Sequence, residues 1–343
     1  MDGNKQSISF YSKLVQKAKD EGFPYCGAID YKHFIDAKES EKKSYYRDHY
    51  IKYKDWINSG YAGSMSYLVR GLDRRANPLL VFPETKSVFC VLLPYSAKSI
   101  GSSDGGVRYA RYLRGRDYHL EVSTRLEKAL KKIDEPDLKW KICVDTSAVL
   151  ERTWAALCGL GWIGKNTMLI HPKLGSYFYI GVVFLNKETK QLPGMLPNFC
   201  GHCNKCMENC PTKAIIKENV INSNKCVSYL TLEKRNDFDT DKLTKKLIGN
   251  WVAGCDICQE VCPFNYKRSK SEEKDICLEN DFHLNQNIDY LLNEDFDRYK
   301  KRVKNIALNR VKPAQFKRNF SNAFKNILES NLIDHCNFSG IEK

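Results

Sequence analysis

The chain has 343 residues, 42% of them hydrophobic and 28% charged. At roughly 150 residues per domain this makes room for about two domains with real cores, and the mixture excludes a disordered tail. Lysine and arginine number 55 against 41 aspartate and glutamate, a formal net charge of +14, so a polyanionic partner is expected, nucleic acid first. No apolar run reaches the ~18 residues needed to span a bilayer. The opening MDGNKQSISFYSKLVQKAKDEG is polar and lacks the apolar stretch of a secretory signal. The expectation is a soluble, cytoplasmic protein with no membrane attachment.

Up to about residue 190, helical and strand-like stretches alternate. FYSKLVQKAKDEG (10–22) has apolar residues at helical spacing, a charged last turn and a terminating Gly22. SVFCVLLPY (87–95) and KWKICVDT (139–146) are short apolar runs rich in Val, Ile and aromatics, which predicts buried strands. YHLEVSTRLEKALKKI (118–133) predicts an amphipathic helix between them. LERTWAALC (150–158) predicts a second helix, stopped by Gly159, and SYFYIGVVFLN (176–186) another strand. Mixed elements of this kind argue an α+β or α/β domain. KETKQLPGMLPNF (187–199) reads as a linker, and KRSKSEEKD (267–275) as an exposed charged loop. The last stretch, Arg298 to Lys343, holds eleven Lys or Arg against three Asp or Glu, over half of the chain's net charge.

Eight of the fourteen cysteines lie between Cys200 and Cys262. Cys200-Gly-His-Cys203-Asn-Lys-Cys206-Met-Glu-Asn-Cys210-Pro211 is the C-x2-C-x2-C-x3-C-P run of bacterial ferredoxins, whose fourth cysteine ligates the other cluster. Cys255-Asp-Ile-Cys258-Gln-Glu-Val-Cys262-Pro263 is the same pattern short of one cysteine, and Cys226 can supply it. One [4Fe–4S] cluster is therefore assigned to Cys200, Cys203, Cys206 and Cys262, the other to Cys210, Cys226, Cys255 and Cys258. Structural zinc explains neither this spacing, nor the two prolines, nor eight ligands. Cys26, Cys90, Cys143, Cys158, Cys277 and Cys336 read as core or incidental residues.

Gly159-Leu-Gly161-Trp-Ile-Gly164 matches the G-x-G-x-x-G pattern, and Gly159 to Lys165 nearly matches a P-loop. Both fail on context. A helix, not a strand, precedes the glycines, and Asn166 stands where a P-loop needs Ser or Thr.

That stretch instead joins a wider set of motifs. Val144-Asp145-Thr146, Glu151-Arg152 and Gly159-Leu-Gly-Trp-Ile-Gly-Lys-Asn166 stand together with Tyr67-Leu-Val-Arg70, Arg111-Tyr112, Gly115-Arg-Asp117-Tyr-His119 and Cys226-Val-Ser-Tyr-Leu-Thr231. With the two ferredoxin motifs following in order, the sequence resembles the epoxyqueuosine reductases over about residues 8 to 325. The resemblance implies an α+β fold: a nitroreductase-like cobalamin-binding domain (1–190), a ferredoxin-like domain with two [4Fe–4S] clusters (191–270), and a short basic helical C-terminal region contacting tRNA (271–343). It implies reduction of epoxyqueuosine to queuosine at the wobble base of tRNA, recognised through the anticodon stem-loop. The cofactors would be cobalamin and two [4Fe–4S] clusters, and the electron source a low-potential donor such as ferredoxin or flavodoxin. Several family members carry a longer helical-repeat extension; Arg310 to Ile327 resembles only its start.

By resemblance Asp145 donates the proton to the oxygen leaving the epoxide, and its carboxyl should then be desolvated with a raised pKa. The residues alone allow an N-cap of the 150–158 helix equally well. Arg70, Lys165 and Ser228 fall in family-like motifs as cobalamin contacts, against the plain readings of exposed salt bridges and a turn or cap. His119 reads equally as a satisfied core histidine, and His171 and His202 as loop residues. In the tail, Arg298-Tyr-Lys-Lys-Arg302-Val-Lys304 and Lys317-Arg318-Asn319-Phe320 mix cations for phosphates with rings for unpaired bases. The alternative from another class is a corrinoid reductive dehalogenase; a flavin in place of cobalamin and a pure electron carrier are the remaining readings.

Overall fold

A computed structural model describes residues 9–35, 41–95, 106–235, 242–269, 291 and 293–338. Most of the 267–275 charged run, Cys277 and the side chain of Cys336 lie outside the described residues.

The centre is a four-stranded antiparallel sheet of β1 (Tyr25–Asp30), β2 (Ser87–Pro94), β3 (Trp140–Cys143) and β4 (Phe178–Leu185), in the order β1-β2-β4-β3. Every residue of β2 is buried, because helices cover both faces and the usual in-out alternation disappears. On one face α1 (Phe10–Asp20) and α2 (Tyr118–Lys131) lay Leu14, Ala18, Val122, Leu126 and Leu130 against Phe89, Val91, Leu93 and Val183. On the other, α3 (Glu151–Leu157) sets Trp154, Ala155 and Leu157 against Val88, Cys90, Leu92 and Phe184. Odd and even strand positions thus serve different layers. Gly181 lets α2 come close: a Cβ there would stand 2.7 Å from Leu126 Cδ1.

The predicted helices and strands all form, with trimmed ends. Ser9 caps α1 by accepting the Ser12 amide at 3.2 Å, and Asp117 caps α2 by accepting that of His119 at 3.0 Å. The strand expected over 139–146 stops at Cys143, since Asp145 turns the chain with φ +57°. β1 and an 18-residue helix, Glu41–Asn58, were not expected. The 187–199 segment forms no regular element but is strapped to the sheet: the fully buried Asp30 accepts the Thr189 amide at 2.6 Å, its hydroxyl at 2.7 Å and the Lys190 amide at 2.9 Å.

The cysteine-rich segment and the C-terminal region close onto this unit. A short strand, Trp251–Ala253, runs parallel to Arg108–Tyr109. Helix α4 (Pro313–Phe338) sends Phe316, Phe320 and Ala323 into the layer that holds Leu14 and Phe89, joined by Tyr299, Val303, Leu308 and Val311. Residues from all three expected segments therefore share one hydrophobic layer.

Candidate active site and cluster-binding segment

Asp145 sits in the turn after β3, held there from several sides. Its Oδ2 accepts the Tyr118 hydroxyl at 2.9 Å and faces His119 Nε2 at 3.1 Å. His119 Nδ1 lies 2.6 Å from Asp117 Oδ1, so the imidazole bridges two carboxylates. The Asp145 amide donates to the Glu151 carboxyl. Asp145 does not cap α3, whose N-cap position is Leu150 with no side-chain bond, and the capping alternative fails on geometry. The Asp145 side chain is half exposed.

The protonation pattern differs from expectation. Burial works to raise the Asp145 pKa, but the hydrogen bonds from His119 and Tyr118 and the charges of Arg310 and His119 outweigh it and hold the carboxyl below its usual value. Burial would lower His119, yet its bonds to Asp145 and Asp117 leave it raised. Of the two groups, the imidazole is thus the stronger base, so a proton between them favours His119 over the carboxylate. Glu151 goes the other way: burial, then the adjacent Asp145 charge, push it up to about 8.

Three further residues converge from distant parts of the chain. Arg310 pairs with Glu233; the Tyr67 phenol hydrogen-bonds Glu233 and feels the charges of Arg310 and Asp145. Sequence reasoning gave none of them a role, and it left Tyr118 and Glu151 inside motifs without one. No sequence signal brings position 310 to position 145. His119 was weighed as a core residue, and its place in the Asp-Tyr-His motif was the available hint.

The thiols of the cysteine segment act on one another electrostatically. The charges bearing on Cys206 include those of Cys200 and Cys262, and those on Cys262 include Cys200 and Cys203. Cys210 bears on Cys226; Cys226 and Cys210 on Cys255; Cys255, Cys226 and Cys206 on Cys258. Burial pushes up the thiols of Cys226, Cys255, Cys258 and Cys262, and that of Cys206 to about 11. Among the described residues no three His, Cys, Asp or Glu side chains form a site for a metal ion. A cubane, held at its corners, takes thiolates that stand apart.

The Gly159–Asn166 stretch forms a small hairpin, Trp162–Ile163 against Leu169–Ile170, and serves as the platform for the cysteine loops. Trp162 clusters with Ile170 and Cys262, and Cys200 packs against that cluster. The Asn166 side-chain Nδ2–H donates to the Cys258 carbonyl at 3.3 Å. Lys165, buried, donates to Asn204 Oδ1 at 2.9 Å and pairs with Glu218 at 2.8 Å; that bond holds its ammonium above the ordinary value. Below the second cysteine loop, Asp256 accepts the Arg111 amide at 2.8 Å and its guanidinium at 3.0 Å, with both side chains buried.

Arg70 lies exposed just after the short helix Ser66–Val69, and Ser228 in the helix Val227–Leu232. The two elements are neighbours, since Tyr229 Oη accepts the Ser64 amide at 2.8 Å. In the tail the stacking expectation is corrected: Tyr299 and Phe320 are core residues, and Arg318 donates to the Leu230 carbonyl at 3.1 Å. Arg298, Lys300, Lys301, Lys304, Lys312, Lys317 and Lys325 remain exposed.

Eight thiols in one segment, set on a platform beside a wired carboxylate, point to an iron–sulfur oxidoreductase. Residues 199–265 match the family model of the 4Fe-4S double cluster binding domain, and residues 75–146 that of Epoxyqueuosine reductase QueG, DUF1730. The chain is 34% identical to an epoxyqueuosine reductase of Prochlorococcus marinus over 94% of its own length and 99% of the relative's. It is 31% identical to one of Cyclobacterium marinum, over 91% and 96%. A solved epoxyqueuosine reductase with a tRNA-Tyr epoxyqueuosine-modified stem loop is 25% identical, covers 93% of this chain and 82% of that one, and superposes with a TM-score of 0.78. The Streptococcus thermophilus structure shares the fold at a TM-score of 0.79, with 22% identity over 96% of this chain and 84% of that one. The chain belongs to the epoxyqueuosine reductase family, whose cofactors are two [4Fe–4S] clusters and cobalamin. Membership decides against the dehalogenase alternative. Among the described residues no helix is long and apolar enough to cross a membrane.

Proposed function

We propose that this chain reduces epoxyqueuosine to queuosine at the wobble position of tRNA, with Asp145 delivering a proton to the oxygen that leaves. The observation that carries the reading is the Asp145 carboxylate, half exposed and with one oxygen fixed by Tyr118 and His119. Opening the epoxide to an alkene releases its oxygen as water and takes two electrons and two protons. Cobalamin, when bound, supplies a cobalt centre that accepts the clusters' electrons singly and reduces the epoxide. The rest is the work of side chains. A substrate covering Asp145 strips its remaining water, which raises the carboxyl's proton affinity and draws the proton from His119 Nε2 onto Oδ2. Asp117 holds the other ring nitrogen and fixes the tautomer.

Arg70, Lys165 and Ser228 are assigned to cobalamin. Two of the three Lys165 donors are engaged by Asn204 and Glu218, leaving one for a corrin amide or the nucleotide tail. The clusters take Cys200, Cys203, Cys206 and Cys262, and Cys210, Cys226, Cys255 and Cys258. In this reading residues 1–190 form the nitroreductase-like cobalamin domain, 191–270 the ferredoxin-like domain and 271–343 the tRNA-contacting region, where exposed lysines neutralise phosphates. A cytoplasmic low-potential ferredoxin or flavodoxin supplies the electrons.

The test is anaerobic reconstitution with iron, sulfide and cobalamin, then incubation with reductant and epoxyqueuosine-containing tRNA stem-loop. Nucleosides are read by mass spectrometry for loss of one oxygen. Loss that depends on cobalamin and disappears in Asp145→Ala, with cofactors retained, is the expected result. Failure to bind a corrin would turn the reading toward a flavin enzyme.

A further inference from the structure

Among the buried polar atoms of this chain, the indole nitrogen of Trp162 stands out. Trp162 is 2% exposed, and among the described residues its Nε1–H has no hydrogen-bond partner. A tryptophan N–H is a donor only, and burying it unpaired forfeits the hydrogen bond it would make to water. Such groups in native proteins call for an explanation, and an acceptor that is not part of the polypeptide is one. The surroundings say where it is. Trp162 forms a small apolar cluster with Ile170 and Cys262, against which Cys200 and Phe264 pack. Cys200 and Cys262 come from opposite ends of the cysteine segment and are both assigned above to one [4Fe–4S] cluster. The indole therefore lies against the wall of the space that cluster fills, and among the described residues none accepts its N–H.

We propose that the Trp162 N–H donates a hydrogen bond to a sulfur of the cluster held by Cys200, Cys203, Cys206 and Cys262, and so raises that cluster's reduction potential. The reduced cluster carries one more negative charge, spread over its sulfurs, than the oxidised one. A donor aimed at a sulfur stabilises the reduced form more, and hydrogen bonds of this kind are among the determinants of cluster potential. Trp162 would thus make the Cys200 cluster easier to reduce than it would be without the donor, while the other cluster's potential is left where it is. The competing destination is a ring face: Phe199 and Phe264 meet the indole nearly perpendicular, at 5.0 and 4.8 Å between centroids. An N–H on a ring face is a weak contact that leaves cluster sulfurs untouched.

The inference rests on the cysteine assignment, so iron and sulfide are counted first on the reconstituted, unsubstituted protein. Fewer than eight of each would defeat that assignment and say nothing about Trp162. With eight irons bound, two readouts are taken. Redox titration followed by electron paramagnetic resonance compares the protein with Trp162→Phe, and with benzothienylalanine at position 162, which keeps the indole's shape and replaces N–H by sulfur. One midpoint should move to lower potential in both variants while the other stays. Pulsed hyperfine spectroscopy in D2O should show an exchangeable deuteron coupled to the reduced cluster, lost in both variants. Unmoved midpoints overturn the proposal. Should both variants lose iron, the deuteron coupling in the unsubstituted protein decides alone, and its absence overturns the proposal too.

Discussion

Replacing His119 by glutamine sets two effects of one residue against each other. In the native site, His119 Nε2 lies 3.1 Å from Asp145 Oδ2 and Tyr118 Oη donates at 2.9 Å. A hydrogen bond to a charged group contributes about 1.5–3 kcal/mol, and one pKa unit is about 1.36 kcal/mol. Removal of the imidazolium would therefore release the Asp145 carboxyl by roughly one to two units. Because half of the Asp145 side chain is exposed, solvent screening favours the lower figure, about one unit and a tenfold larger protonated fraction. If His119 did no more than keep Asp145 ionised, His119→Gln would speed turnover near pH 7 by about that factor. If His119 supplies the proton, turnover falls by about 10²–10⁴, the usual range for a lost acid–base group. We expect the fall. The assay is single-turnover deoxygenation by pre-reduced enzyme, quenched and read by mass spectrometry across pH 6–8. The unsubstituted enzyme should slow on the alkaline side as the raised His119 loses its proton, and the variant should lack that limb. A variant as fast as the native enzyme, or faster, would refute the relay.

The Arg111–Asp256 pair is buried on both sides, at 7% and 1% side-chain exposure, so Arg111→Met leaves an uncompensated carboxylate and should cost about 3–5 kcal/mol in anaerobic urea unfolding; adding Asp256→Asn should recover part of it, and a loss under about 1 kcal/mol would contradict this. Glu151 is raised from 4.5 to about 8 in the folded chain, so its contribution to stability is complete below its unfolded pKa and is lost as pH rises through about 8. Glu151→Gln should flatten the stability profile over that window, read from urea midpoints at pH 5, 7 and 9; an unchanged slope would count against the neutral carboxyl.

The parts legible in the sequence were those whose signal is local. Ser87–Pro94 and Phe178–Leu185 are unbroken apolar runs, and Tyr118–Lys131 has a cap and a clear stripe, so each was found with its ends trimmed. β1, YCGAID, is short and interrupted by Gly27, and Glu41–Asn58 buries only Tyr46 along its length; neither pattern separates from a loop or a solvated helix. The cysteine spacing carried the double-cluster domain, matched over residues 199–265, because ligand geometry constrains sequence distance directly. The Asp145 site did not come through in the same way. Its partners arrive from residues 67, 118, 119, 233 and 310, and only packing brings them together. Tail composition misled for a related reason: Tyr299 and Phe320 look like stacking rings beside lysines until their side of the helix is known.

The contribution of Phe316, Phe320 and Ala323 to the layer holding Leu14 and Phe89 bears on how the protein is made. At ~5–20 residues per second, synthesis from the first of these residues to the last takes on the order of 15–60 s. Through that time the nascent chain carries an open apolar layer, with Trp251–Ala253 lacking its cover from α4. All eight ligand cysteines emerge before the closing helix does. The cysteine loops thus leave the ribosome while their final brace is still inside it, and a chain stalled ahead of Pro313 would present both free thiols and an unsealed core to whatever it next encounters.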